Sequence, residues 1–131
     1  MLQSIHHVAI IVSDYAISKR FYTDVLGLKI IGENFREARQ SWKLDLQLPD
    51  GGQLELFSFP EAPARPSRPE AQGLRHLSFA VADVAKTVQW LEQQGVVVEP
   101  IRQDPYTGAA FTFFADPDGL PLEIYQQLPR G

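Results

Sequence analysis

Cysteine is absent from the 131-residue chain, which excludes disulfides, thiolate metal sites and a cysteine nucleophile. Any metal ion must therefore be held by histidine, aspartate, glutamate or backbone oxygen. Long hydrophobic runs are missing too. The longest, "VAIIV" (8–12) and "GVVVE" (95–99), fall far short of the roughly 20 residues that cross a bilayer, and the N-terminus has no charged segment leading into an apolar one. These absences predict a cytoplasmic protein with no membrane partner. A basic surplus is also lacking: 12 Lys and Arg stand against 16 Asp and Glu, a formal charge of −4. With no basic stripe to follow phosphates, nucleic acid is not expected as a partner.

What is present is a duplication. With 44% hydrophobic and 21% charged residues the chain suits one compact domain that buries about two-thirds of its unfolded surface. Its segment "HVAIIVSDYAISKRFYTDVLGLKI" (7–30) matches "HLSFAVADVAKTVQWLEQQGVVVE" (76–99). His7 and Val12-Ser13-Asp14 recur as His76 and Val81-Ala82-Asp83 at an offset of 69, whereas Gly27 and Gly95, the two Pro-Asp-Gly turns, and Glu55 and Glu123 recur at 68. One residue is therefore missing from the second helical stretch. Each copy has about sixty residues, too few for most independent domains, so the two are expected to share a core as one domain spanning 1–131. Its parts are module one (4–59), a linker (60–73) and module two (74–128).

Within a copy the periods are legible. "HHVAIIV" is a short β-branched run of strand type; Ser13 or Asp14 then offers a helix cap, and Ile17, Phe21 and Val25 recur every four positions up to Gly27. Copy two repeats this with Asp83, then Val84, Val88 and Leu91, then Gly95. Strands follow: "LKIIGE", "SWKLDLQL" and "QLELFSF" in copy one, "VVVEPI", "AFTFFA" and "LPLEIY" in copy two. The order βαβββ, twice over, predicts an α+β fold. Pro60, Pro63, Pro66 and Pro69 recur every third residue between the copies, which favours a stiff, extended linker.

His7 and His76 open the first strand of each copy, and Glu55 and Glu123 sit mid-way along the last. A lone His or Glu on a strand is usually a hydrogen-bonded or solvated side chain. Here both recur at equivalent places, and packing gives no reason to keep a carboxylate inside a strand. Leu54 and Leu56 flank Glu55, and Leu122 and Ile124 flank Glu123, so each carboxylate leaves its sheet opposite those apolar side chains. Two imidazoles and two carboxylates make a hard-to-borderline metal set, and a divalent cation would relieve the repulsion between the glutamates. His6 has Arg75 at its equivalent position, is expected to point away from His7, and is read as structural.

The paired modules, with "HHVAIIVSD", "FYTDVLGL", "ELF", "RHLSFAVAD" and "DPDGLPLEIY", resemble the vicinal oxygen chelate superfamily, which includes glyoxalase I, methylmalonyl-CoA epimerase, extradiol dioxygenases and the fosfomycin and bleomycin resistance proteins. "REARQSWK" and "LFSFPEAPARPSRPEAQGLRHL" bring it nearest to small bacterial glyoxalase-like proteins of the YaeR type. The resemblance implies modules whose strands curl into a mixed-sheet cleft, with one divalent ion (Ni, Zn, Mn, Co or Fe) held by His7, Glu55, His76 and Glu123. Glutamate at the position of Glu55 is similar to glyoxalase I rather than to the dioxygenases or epimerases. It implies lyase or isomerase chemistry in which a Lewis acid holds two vicinal oxygens and a catalytic carboxylate, Glu123 or Glu55, moves a proton between adjacent carbons. An Fe(II) dioxygenase and a non-catalytic binding or resistance protein are the alternatives.

Two departures from glyoxalase I bear on the substrate. Ile11 stands where that family has an arginine for a glutathione carboxylate, and Phe59 where it has an asparagine. A small oxygenated compound is therefore the expected substrate, in place of a glutathione adduct. Alternation in "SWKLDLQL" sets Lys43 and Asp45 on the cleft side, with Phe111 and Phe113 as their counterparts in copy two. Arg39 and Tyr106 complete the candidate pocket residues, with Arg36 and Arg75 as outer candidates. Uncovered sheet edges and cleft rims predict a homodimer.

Overall fold

The computed structural model describes residues 1–128. It divides into two compact units, Met1–Ala64 and a second beginning at Arg65. In the first, β1 (His7–Val12) leads through α1 (Tyr15–Arg20) to β2 (Lys29–Arg36), β3 (Ser41–Gln47) and β4 (Gln53–Ser58). In the second, β5 (Leu77–Val81) leads through α2 (Val84–Gln93) to β6 (Arg102–Gln103), β7 (Ala110–Ala115) and β8 (Pro121–Gln126). The sheets have matching orders, β1-β4-β3-β2 and β5-β8-β7-β6. Each is mixed: β1 runs parallel to β4 and β5 to β8, while the other neighbours are antiparallel. Among the described residues no helix is long and apolar enough to cross a membrane.

Helix starts follow from local chemistry. Asp14 accepts a hydrogen bond from the Ile17 N–H at 3.1 Å and Asp83 one from the Lys86 N–H at 3.0 Å, each satisfying an amide with no partner inside its helix. Gly27 and Gly95 end the two helical segments with φ of 77° and 83°, which suits a residue without Cβ. The copies differ in between. α1 runs on into a π-helical turn, Phe21–Val25, where the Leu26 N–H bonds the Phe21 carbonyl at 2.9 Å. That wider turn takes up the one residue by which copy one is longer, and it delivers Tyr22 to a fully buried position.

One face of each sheet is the core. Ile10, Val12, Leu44, Leu46, Leu54 and Leu56 are buried in unit one; Leu122, Ile124, Phe114, Val84 and Leu91 are buried in unit two. Strand alternation then sends the intervening side chains to the open face.

Two expectations need correcting. "VVVEPI" (96–101) is not a strand; pairing begins at Arg102 and covers two residues. Pro100 has no N–H to give to a ladder, and the segment is held by single bonds instead. The Glu99 N–H donates to the Phe113 carbonyl at 3.0 Å, and the Thr112 hydroxyl reaches the Glu99 and Pro100 carbonyls at 2.7 and 3.1 Å. The segment 60–73 is also more than a spacer. From Arg65 it belongs to the second unit, with a turn at 67–70, because Arg65 donates to Ser67 Oγ and to the Leu74 carbonyl.

Candidate metal centre and substrate face

Each unit brings its histidine and glutamate together. In the first, parallel pairing sets Ala9 beside Glu55, and His7 Nε2 lies 3.6 Å from Glu55 Oε2. In the second, Ser78 stands beside Glu123, and His76 Nε2 lies 3.5 Å from Glu123 Oε1. The two half-sites are thus built alike: a histidine at the start of the outer strand, a carboxylate on its parallel neighbour. The carboxylates are mostly covered, with side-chain exposures of 15% for Glu55 and 12% for Glu123.

These pairs fit a divalent ion. At 3.5–3.6 Å the atoms are too far apart for a hydrogen bond, yet the gap is what two ligands each bound at about 2.0–2.2 Å would span. Nitrogen with carboxylate oxygen is a donor set that Zn, Ni, Mn, Co and Fe accept. Among the described residues no group of three or more His, Cys, Asp or Glu side chains forms. Each pair is therefore short of the three or four protein ligands usual for such ions.

The half-sites differ in what supports them. His6 and His7 meet Nδ1 to Nδ1 at 2.9 Å, so His6 turns toward His7 rather than away from it. The expectation from strand alternation fails here because His6 lies outside β1, where no ladder fixes its direction. On the other side, the His76 ring stands edge-on to Phe113 at 5.1 Å between centroids. Glu55 lies 3.9 Å from the Lys43 ammonium, which Asp45 holds at 2.6 Å. Glu123 has no cation or hydrogen-bond donor among the described residues apart from His76.

Register accounts for that contrast. Asp45 is paired with Glu55 and Lys43 with Phe57; Phe113 is paired with Glu123 and Phe111 with Tyr125. Unit one therefore surrounds its carboxylate with charge, and unit two with aromatic rings. Arg39 does not join either half-site by contact: it lies over Phe59, 5.0 Å from the ring centre, beside Arg36, which covers Phe57 at 4.9 Å. Tyr106 is 94% exposed on a loop pinned by other atoms. The Tyr106 N–H donates to Asp104 Oδ1 and the Tyr125 hydroxyl to Asp104 Oδ2; in that order these bonds hold the Asp104 carboxyl below the usual range.

The sequence reading missed a cavity of about 570 Å³ lying wholly in unit two, lined by Arg65, Arg68, Arg75, His76, Arg102 and Phe113 among others. Three arginines within 65–75 were the available signal, masked by the prolines that mark the same stretch as a spacer.

Sequence comparison decides the family. The description "Glyoxalase/Bleomycin resistance protein/Dioxygenase superfamily" matches residues 4–124. The chain belongs to that superfamily. It is 59% identical over 126 residues to the uncharacterized protein YaeR of Escherichia coli (strain K12), a match covering 96% of this chain and 98% of that protein. The crystal structure of a glyoxalase family protein from Enterococcus faecalis aligns with a TM-score of 0.88 at 48% identity, covering 94% of this chain and 97% of the other. A 2-epi-5-epi-valiolone epimerase from Actinomyces sp is 32% identical over 149 residues, covering 98% of this chain and 81% of that enzyme. The superfamily fold is present here as the two four-stranded mixed sheets, and the superfamily includes enzymes, of which the epimerase is one.

Proposed function

We propose that this superfamily member is a metal-dependent lyase or isomerase of glyoxalase type that moves a proton between adjacent carbons of a small, vicinally oxygenated substrate. The observation that carries the reading is the repeated His/Glu pair, His7 with Glu55 and His76 with Glu123, at the same spacing on the open face of each sheet. Each pair supplies one His and one Glu, and the proposed ligand complement for one ion per chain is His7, Glu55, His76 and Glu123. Held by these residues, a divalent ion would supply Lewis-acid chemistry, which acidifies a C–H beside an oxygenated carbon.

The chain's own residues divide the work unequally. Glu55 has the Lys43 ammonium beside it, which suits an anchoring ligand. Glu123 faces Phe113 and His76 with no other donor among the described residues to occupy its oxygens, which suits the carboxylate that takes the proton and returns it to the neighbouring carbon. His6 orients His7, and Phe113 orients His76. Lys43 can donate to a substrate oxygen and Asp45 can accept from a substrate hydroxyl, while Phe111 and Phe113 exclude water on the aromatic side.

Glutathione is not part of this reading. Ile11, 57% exposed, has no charge to offer a glutathione carboxylate, and Phe59 is engaged by Arg39 and stacked on Phe57. Losing two charged hydrogen bonds weakens a glutathione adduct by a factor on the order of a hundred or more. The test is a steady-state assay of Ni²⁺-, Zn²⁺- and Mn²⁺-loaded protein, with methylglyoxal plus glutathione in one arm and solvent-deuterium incorporation into small hydroxyketones in the other. Exchange without the hemithioacetal reaction is expected. A kcat/KM of roughly 10⁴–10⁸ M⁻¹s⁻¹ on the hemithioacetal would make the chain a glyoxalase I, and oxygen uptake with a catechol in the Fe²⁺-loaded protein would make it a dioxygenase.

A further inference from the structure

The cavity in unit two has a charge opposite to that of the chain around it. Four guanidinium groups line it, from Arg65, Arg68, Arg75 and Arg102, against two carboxylates, Glu70 and Glu99, in a protein whose formal charge is −4. Concave walls with a local excess of one sign concentrate field and draw in the opposite ion.

The four arginines are not equivalent. Arg102 is committed to Glu99, to which it donates, and lies 5.8 Å from the Phe113 ring centre. Arg65 is committed to the loop: its Nε–H donates to Ser67 Oγ at 2.8 Å and an Nη–H to the Leu74 carbonyl at 3.1 Å. These two hold the wall in shape. Arg68 and Arg75 make no hydrogen bond or ion pair among the described residues, and both are exposed, so ten N–H donors are left for a ligand. Glu99 is already paired, which leaves Glu70 as the sole unpaired carboxylate of the described lining.

We infer that this cavity is the binding site for an anionic group, a phosphate or a carboxylate, gripped by Arg68 and Arg75. Planar guanidinium forks match both anions bidentately, and about 570 Å³ lies within the range of small-ligand sites. The cavity also contains His76 and Phe113, the histidine of the second half-site and the ring facing Glu123. An anion held there places whatever it carries against that face. Resting on the function proposed above, this narrows the substrate to a vicinally oxygenated compound bearing a negative charge, and it supplies the anchor that Ile11 and Phe59 withhold from glutathione.

Two measurements keep the site and the reaction apart. The first is calorimetric titration of metal-free protein with inorganic phosphate and with acetate; the wild type should bind at least one saturably in the millimolar range or better, and binding should weaken as salt rises. In Arg68→Gln and Arg75→Gln affinity should fall about tenfold each, whereas Arg20→Gln, outside the cavity, should leave it unchanged. Both cavity arginines are exposed and unbonded, so melting temperatures should match the wild type. The second is titration of metal-loaded protein with dihydroxyacetone phosphate, hydroxypyruvate and uncharged dihydroxyacetone, which separates a phosphate from a carboxylate preference. The charged ligand should win by tenfold or more, and the double variant should erase the gap. No anion binding to the metal-free protein, or binding indifferent to Arg68 and Arg75, overturns the inference. Anion binding that survives while deuterium exchange is absent upholds it and removes the enzyme reading alone.

Discussion

His6 and His7 share one hydrogen bond, Nδ1 to Nδ1 at 2.9 Å, so one ring donates and the other accepts. When His7 is the donor, its Nε2 carries the lone pair on the side of Glu55, the tautomer that a metal ligand requires. Outer partners of ligating histidines typically matter by about 10–100-fold in metal affinity. His6 is exposed, so His6→Ala is expected near the lower end, about tenfold. His76→Ala should cost at least a further tenfold because it removes a ligand outright. Competition titration with a chromophoric chelator gives both values; equal losses, or none, would remove the ligand assignment.

The two carboxylates should separate in function. Glu123→Gln is expected to retain metal within about tenfold while losing at least 10²-fold in kcat, the usual scale of general acid–base catalysis. Glu55→Gln should lose more metal and leave Lys43 with Asp45 as its remaining carboxylate. Metal content and exchange rate measured on the same samples decide it. Reversed roles would make Glu55 the base.

Stability should fall at both ends of the pH scale, for separate reasons. Glu33 accepts from Lys19 Nζ at 2.8 Å and from the Tyr15 hydroxyl; the Lys19 bond first and then the Tyr15 bond lower its pKa from an ordinary 4.5. A depressed carboxyl contributes stability that is present above its unfolded value and lost as pH falls through its folded one. Tyr15 is raised above its ordinary 10.0, first by burial and then by Glu33; that contribution is present below pH 10 and lost as pH rises further. Tyr15→Phe should flatten the alkaline limb of melting temperature against pH and shallow the acid limb. An unchanged alkaline slope in calorimetry would show that this cluster does not set it.

How much of this was legible depends on the range of the interaction. Asp14, Asp83, Gly27 and Gly95 were readable because a cap needs only its own turn, and Glu55 and Glu123 because Leu54, Leu56, Leu122 and Ile124 fix strand parity within three residues. The duplication even exposed the extra residue that the π-helical turn absorbs. Other features depend on partners distant in sequence. "VVVEPI" has the composition of a strand, but Pro100 and the Thr112 hydroxyl decide its bonds. The cavity needs Arg65, Arg68 and Arg75 beside Phe113 on β7, which no local period reveals.

Self-association is expected as well. Ile11, Ile31, Trp90 and Val97 are exposed by 57%, 43%, 43% and 88%, and large apolar side chains left open invite a partner. Light scattering at micromolar concentration should give a homodimer mass; a clean monomer would refute it.

His7 opens β1, the outermost strand of its sheet, while Glu55 lies on β4 within it, and β5 stands in the same relation to β8. Outer strands are where a folded chain breathes first, since one side of their backbone has no ladder. An ion tied to both members of a pair would clamp the loosest strand to its neighbour. Amide hydrogen exchange across 8–11 and 77–80 should therefore slow on loading while that of α2 stays as it was, so that the fold's local breathing records whether the proposed metal site is filled.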